Sequence, residues 1–180
     1  MKLYREVDIL NNKKAIILLN IGSILLSFIV GTLFLILTSF ISQRQSLSSE
    51  ISFPMLLFAL VLLFLCLVLH EAIHGLFFKM FQPQGKVNFG FKNGMAYATS
   101  PGSFYSRKQF FIIAISPFII VSLLLVVAFA LNMLSLFVFL FLATIHGSGC
   151  IGDFYYIVLI LKAPKGSLIE DTPIGISFYK

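Results

Sequence analysis

The sequence predicts an all-α membrane protein with four transmembrane helices and a cytoplasmic-side β-hairpin between the second and third. Three observations point there. Hydrophobic residues make up 59% of the 180-residue chain and charged residues only 11%, with a mean hydropathy of +1.01, outside the usual range of soluble proteins. Four apolar stretches reach the roughly 20 residues a helix needs to cross the hydrocarbon core. The basic residues in their flanks fit one orientation of all four. The whole chain, 1–180, reads as a single integral membrane domain with its core at about 53–161.

The first span, 15–41, follows "REVDILNNKK" without a small-residue cleavage pattern and is too long for a signal-peptide core, so it is expected to be retained. The others are 53–78, 110–131 and 134–161. Lys2, Arg5, Lys13 and Lys14 precede the first span. Lys79, Lys86, Lys92, Arg107 and Lys108 lie between the second and third, and Lys162, Lys165 and Lys180 follow the fourth. Arg44 alone falls on the other side. This pattern predicts a multi-pass protein of the cell membrane with both termini and the central loop in the cytoplasm. The net charge of +6 is thus a matter of topology, and no aromatic-basic surface suited to nucleic acid is formed.

The central loop differs in kind from the spans. Its Asn93-Gly94 pair is a strong hairpin signal, because a tight primed turn requires positive φ at both central residues. Strands are expected at 87–92 and 95–99, carrying Phe89, Phe91 and Tyr97. A lone two-stranded hairpin is marginal in water, so it should pack on the helices or enter the membrane interface. After Pro164 the tail "KGSLIEDTPIGISFYK" reads as a short cytoplasmic extension with no assigned structure.

Five ionisable residues lie inside the spans: His70, Glu71, His74, His146 and Asp153. Each is costly at bilayer depth unless it pairs, binds a metal or lines a wet cavity. His70 and His74 are one helical turn apart on one face and can reach a single ion, while Glu71 is placed to act on water beside it. A catalytic zinc (Zn2+) needs a third protein ligand and an open position. Counted from the cytoplasmic ends, Ala72 and Asp153 sit at similar depth, roughly 10 and 13 Å, which favours Asp153. His146 is two turns farther away in a regular helix. Gly147, Gly149 and Gly152 are enough to break that helix, leaving His146 as an alternative ligand or a supporting or substrate-contacting group.

Blander roles apply to other residues. Cys66 and Cys150 read as buried small hydrophobes, although Cys66 lies one turn before His70. Ser116-Pro117 is most simply a helix kink. Asn20 reads as an interhelical hydrogen bonder, and the hairpin aromatics read as interface anchors as well as a possible substrate-binding strand.

The order "HEAIHGLFFKMF", "FGFKNGMAYATSPG", "ISP" and "GSGCIGDFYY" resembles a bacterial family of small membrane proteins described as zincin-type peptidases. More distantly it is similar to the site-2 proteases, which are intramembrane zinc metalloproteases. The resemblance spans about 53–161 and implies His70, His74 and Asp153 as zinc ligands with Glu71 as general base. The sequence departs from the site-2 proteases in reading Gly152-Asp153-Phe154 where they carry Asp followed by Gly. Ser116-Pro117 likewise stands where they carry Asn-Pro or Gly-Pro. The expected activity is hydrolysis of a peptide bond in or near the membrane, with a peptide or membrane protein as substrate and the lipid bilayer as surroundings. The rival expectation is a non-catalytic membrane protein whose zinc site serves structure or partner binding, as in an immunity or regulatory factor.

Overall fold

A computed structural model describes residues 1–41, 51–92 and 95–180. The Asn93-Gly94 turn and Arg44 lie outside the described residues. In chain order the elements are β1 (Leu3–Asp8), α1 (Lys13–Ile41), α2 (Phe53–Phe81), β2 (Asn88–Lys92), β3 (Met95–Thr99) and β4 (Tyr105–Ser106). They continue with α3 (Arg107–Ala130), α4 (Leu136–Gly149), α5 (Ile151–Lys162), β5 (Leu168–Thr172) and β6 (Gly175–Tyr179).

Four helical segments are long and apolar enough to cross a membrane: Lys13–Ile41, Phe53–Phe81, Arg107–Ala130 and Leu136–Lys162. Their ends follow local chemistry. Ser52 caps α2 ahead of a proline in its first turn. Ser106 and Gln109 form a reciprocal capping box at the start of α3. The Arg107 guanidinium reaches across to the carbonyls of Ile160 and Leu161, satisfying acceptors at the C-terminal end of α5.

The fourth segment is not one helix. It is interrupted at Cys150, whose ψ of 8° departs from helical values, and it continues as α5. The break falls between Gly149 and Gly152.

The helices pack around a core containing Val30, Phe34, Val121, Phe129, Phe139 and Leu142. Phe129 stacks on Phe139 at 4.6 Å, and Phe34 meets Phe139 edge-on at 5.6 Å. Helix α1 leans chiefly on α4, where Gly147 leaves room for Val30: a Cβ there would lie 2.7 Å from the valine. Outside this core most large apolar side chains of α1 and α2 are exposed, including Leu25, Phe28, Phe58, Phe64 and Leu65. So continuous an apolar exterior is consistent with a multi-pass membrane protein.

Two antiparallel sheets complete the fold, so the all-α expectation is corrected to a mostly helical protein with small sheets. The predicted strands pair as β2 and β3, with Phe89 opposite Ala98 and Gly90 opposite Tyr97. The second sheet was not expected. It has the order β1-β6-β5-β4 and draws strands from the N-terminal segment, the central loop and the tail. In the tail, "LIEDT" and "GISFY" alternate around a Pro-containing turn, and the two strands pair from Leu168↔Tyr179 to Thr172↔Gly175. Ile169, Ile176 and Phe178 bury against Phe78, Tyr105, Phe110 and Ile160, joining the sheet to the helix ends. Because one sheet contains β1, β4 and the β5–β6 pair, the start of α1, the start of α3 and the end of α5 share one side of the molecule.

Asp171 lies on the inward face of β5 and is only 4% exposed. Burial pushes its carboxyl well above the ordinary range, with Asp153 and Glu71 adding to the shift and His74 and the Ser100 backbone opposing it. The fold therefore favours the protonated form. That stabilising preference is complete below the unfolded value of about 4 and is lost as pH rises toward the folded value. In chelator-treated protein, Asp171→Asn should match the wild-type unfolding temperature near pH 4 and exceed it increasingly toward neutrality. A thermal-unfolding series across that pH range checks this, and a difference that does not grow with pH would contradict it.

Candidate metal centre and cavity

Helix α2 supplies His70, Glu71 and His74 in consecutive turns, and α5 supplies Asp153. The Nε2 atoms of His70 and His74 are 3.2 Å apart. Oδ2 of Asp153 lies 3.3 Å from Nε2 of His70, and its other carboxylate oxygen, Oδ1, lies 3.2 Å from Nε2 of His74. One ligand atom from each of the three residues falls within 4.8 Å of the other two. A tetrahedral ion with bonds of about 2.0–2.1 Å separates its ligands by about 3.3 Å, so these separations suit side chains that share one such ion.

The tautomers support the same conclusion. Nδ1 of His74 is 3.0 Å from the carbonyl oxygen of Ile113, which can only accept, so this nitrogen carries the proton and donates. In neutral His74 the Nε2 lone pair then faces a carboxylate oxygen, and a cation is needed between them. That cation is either a second proton or a metal ion. The acceptor exists because of Pro117. In a regular helix the Ile113 carbonyl would receive the N–H of residue 117, and proline has none. The residue read as a kink therefore frees the group that orients His74. Ser116 turns its hydroxyl back onto the Ile112 carbonyl at 2.5 Å, within α3.

His70 is held from its other edge. Its Nδ1 lies 3.2 Å from Nε2 of His146 and 3.9 Å from Sγ of Cys150. When His70 presents Nε2 to Asp153, its Nδ1–H donates to His146, the usual support for a metal-binding imidazole. His146 and Asp153 therefore both meet His70, at opposite nitrogens, one from α4 and the other from α5. Sequence reasoning identified both residues but not this division. It also placed Cys150 among the inert hydrophobes, although the spacing of four from His146 puts the two on one helical face. Cys66 belongs to neither group of potential ligands found among the described residues.

His70, His74, His146 and Asp153 border a cavity of about 640 Å³. On the helical side its walls include Leu63, Phe64 and Leu67 of α2 with Leu19 of α1. On the sheet side they include Thr99, Asp171 and Thr172. Glu71 lines the same cavity, as do Ala96, Ala98 and Thr99 of β3, so part of this strand faces the cavity. Tyr97 lines it as well. Phe89 and Phe91 lie elsewhere. Phe89 is 59% exposed, yet its ring tip sits where a Cβ at Gly75 would be, docking the hairpin on α2 one residue after His74. Phe91 is 70% exposed. Asp171 and Thr172 were missed at the sequence level, since nothing local says that the tail folds back over the site.

No curated protein and no solved structure matches the chain. One family model does match, over residues 63–168, more than half of the chain and every residue from His70 to Asp153; the chain belongs to that family, described as "Putative zincin peptidase".

Proposed function

We propose that this protein is a membrane-embedded zinc metallopeptidase in which His70, His74 and Asp153 hold the ion and Glu71 is the general base. The observation that carries the reading is the convergence of His70, His74 and Asp153, with the two Nε2 atoms 3.2 Å apart and each facing one carboxylate oxygen at 3.2–3.3 Å, among helices otherwise almost wholly apolar. Family membership supports the metallopeptidase class. The likeness of the motif order to site-2 proteases supports an intramembrane or juxtamembrane substrate.

When bound, zinc supplies Lewis acidity to a water and to the scissile carbonyl. The chain's own residues do the rest. Glu71 takes the water's proton and returns it to the leaving amine. A substrate helix shields its amides by internal hydrogen bonds and has to unwind before attack. The outer edge of β3 offers backbone groups to such an extended segment by strand addition, and Tyr97 lies beside it. Water and substrate share the one cavity, whose apolar wall is built by α1 and α2 and whose polar wall comes from the strands. The basic flanks support a cytoplasmic location for the sheet side.

Metal analysis of the detergent-purified chain should find about one zinc per chain, lost with His74→Ala or Asp153→Ala and retained with Glu71→Gln. In a peptide-hydrolysis assay Glu71→Gln should lower turnover by about 10²-fold or more. Wild-type protein without metal would remove the peptidase reading. Full hydrolysis by Glu71→Gln would remove Glu71 as base, and zinc without hydrolysis of any peptide would favour a binding role.

Pro117→Ala restores an N–H that competes for the Ile113 carbonyl, so His74 should be less firmly oriented. Zinc affinity is expected to fall by about tenfold with helical content unchanged. Competition against a chromophoric chelator, with circular dichroism as control, checks this, and wild-type affinity in the variant would refute the coupling.

A further inference from the structure

A second set of ligand-type atoms meets the opposite edge of the His70 ring. Nδ1 of His70, Nε2 of His146 and Sγ of Cys150 converge with separations of 3.2, 3.9 and 4.0 Å. A cation held by two imidazoles and a thiolate, in tetrahedral to trigonal geometry, separates nitrogen from nitrogen by roughly 3.3–3.6 Å and nitrogen from sulfur by roughly 3.6–3.8 Å. Small shifts of the three side chains reconcile the two sets. All three residues are buried, with His146 at 7% and Cys150 at 0% exposure, while His70 and His146 line the cavity and give access from it. His146 on α4 and Cys150 at its C-terminal cap are one turn apart, while Asp153 on α5 meets the other nitrogen of His70.

We infer that His70, His146 and Cys150 form a second seat, selective for soft, thiophilic cations, whose occupation ejects the ion held by His70, His74 and Asp153. Selectivity follows from the donors, since thiolate with imidazole favours soft metals, whereas the first seat offers only nitrogen and oxygen. Exclusion follows from the ring they share. A neutral imidazole has one lone pair and one N–H. At rest that N–H is on Nδ1 and donates to His146, leaving Nε2 for the first seat. A divalent cation entering the second seat bonds to Nδ1, Nε2 of His146 and Sγ. The thiol releases one proton to solvent, and the ring proton moves from Nδ1 to Nε2. Nε2 then has no lone pair to offer. The exclusion rests on the first seat being the zinc site proposed above, but the second seat itself does not.

The test uses the full-length, detergent-purified chain in a Cys66→Ser background, which leaves Cys150 as the sole thiol. The zinc-loaded protein is titrated with cadmium, following the ultraviolet thiolate-to-cadmium charge-transfer band and, with a zinc-selective dye, the zinc released. The band should grow in step with loss of zinc, and the band should be lost with Cys150→Ser and weakened with His146→Ala. Cys150→Ser should still hold zinc, which shows that it folds. Asp153→Ala should lose zinc yet keep the cadmium band. Absence of the band, its persistence in Cys150→Ser, or its growth while zinc stays bound would each overturn the inference. A wild-type chain that shows the Cys150-dependent band but never holds zinc would leave the second seat standing and remove the first, so the two failures are distinguishable.

Discussion

Everything at the centre of this protein depends on partnering ionisable side chains inside an apolar bundle. A buried polar atom without a partner costs on the order of 1–3 kcal/mol, and an unpaired charge costs more. The His70, His74 and Asp153 cluster meets that requirement with a cation, a second proton on His74 or a metal ion, because the Nδ1 proton of His74 is already committed to Ile113. Geometry and hydrogen bonding thus lead to the same three residues. Glu71 lies beside them on the cavity wall.

Two breaks in helical regularity supply the partners. Pro117 removes one backbone donor and so frees the Ile113 carbonyl for His74. The interruption at Cys150 falls between His146 on α4 and Asp153 on α5, which meet His70 at opposite nitrogens. Both irregularities are local losses of backbone hydrogen bonding or direction placed where a side chain needs to be aimed. The Nδ1 of His146 remains without a hydrogen-bond partner among the described residues, the one loose end of the cluster's imidazoles.

The strands close the site from the opposite side. The hairpin is docked by Phe89 in the notch left by Gly75, so its position is coupled to the helix that bears both histidines. The four-stranded sheet ties the chain's two ends to the central loop and carries Asp171 and Thr172 to the cavity. An apolar wall toward the helices and a more polar wall toward the strands give one cavity two kinds of surface.

By itself the sequence determined the elements that depend on local composition. These are the four apolar spans, the paired strands around residues 88–99 and the HEAIH spacing that puts two imidazoles on one face, since periodicity and turn chemistry act over a few residues. Asp153 could be matched to the histidines by depth because helical rise is constant. Tertiary structure alone decided how the pieces meet. The tail's strands are short and polar enough to pass for loop, and their pairing with β1 and β4 joins residues far apart in the chain, Asp8 with Gly175 and Tyr105 with Ile169, in one sheet. The roles of Pro117, His146 and Cys150 likewise depend on which nitrogen of which ring faces them. Spacing along a chain sets which residues share a face, whereas only packing between helices sets which atom they touch.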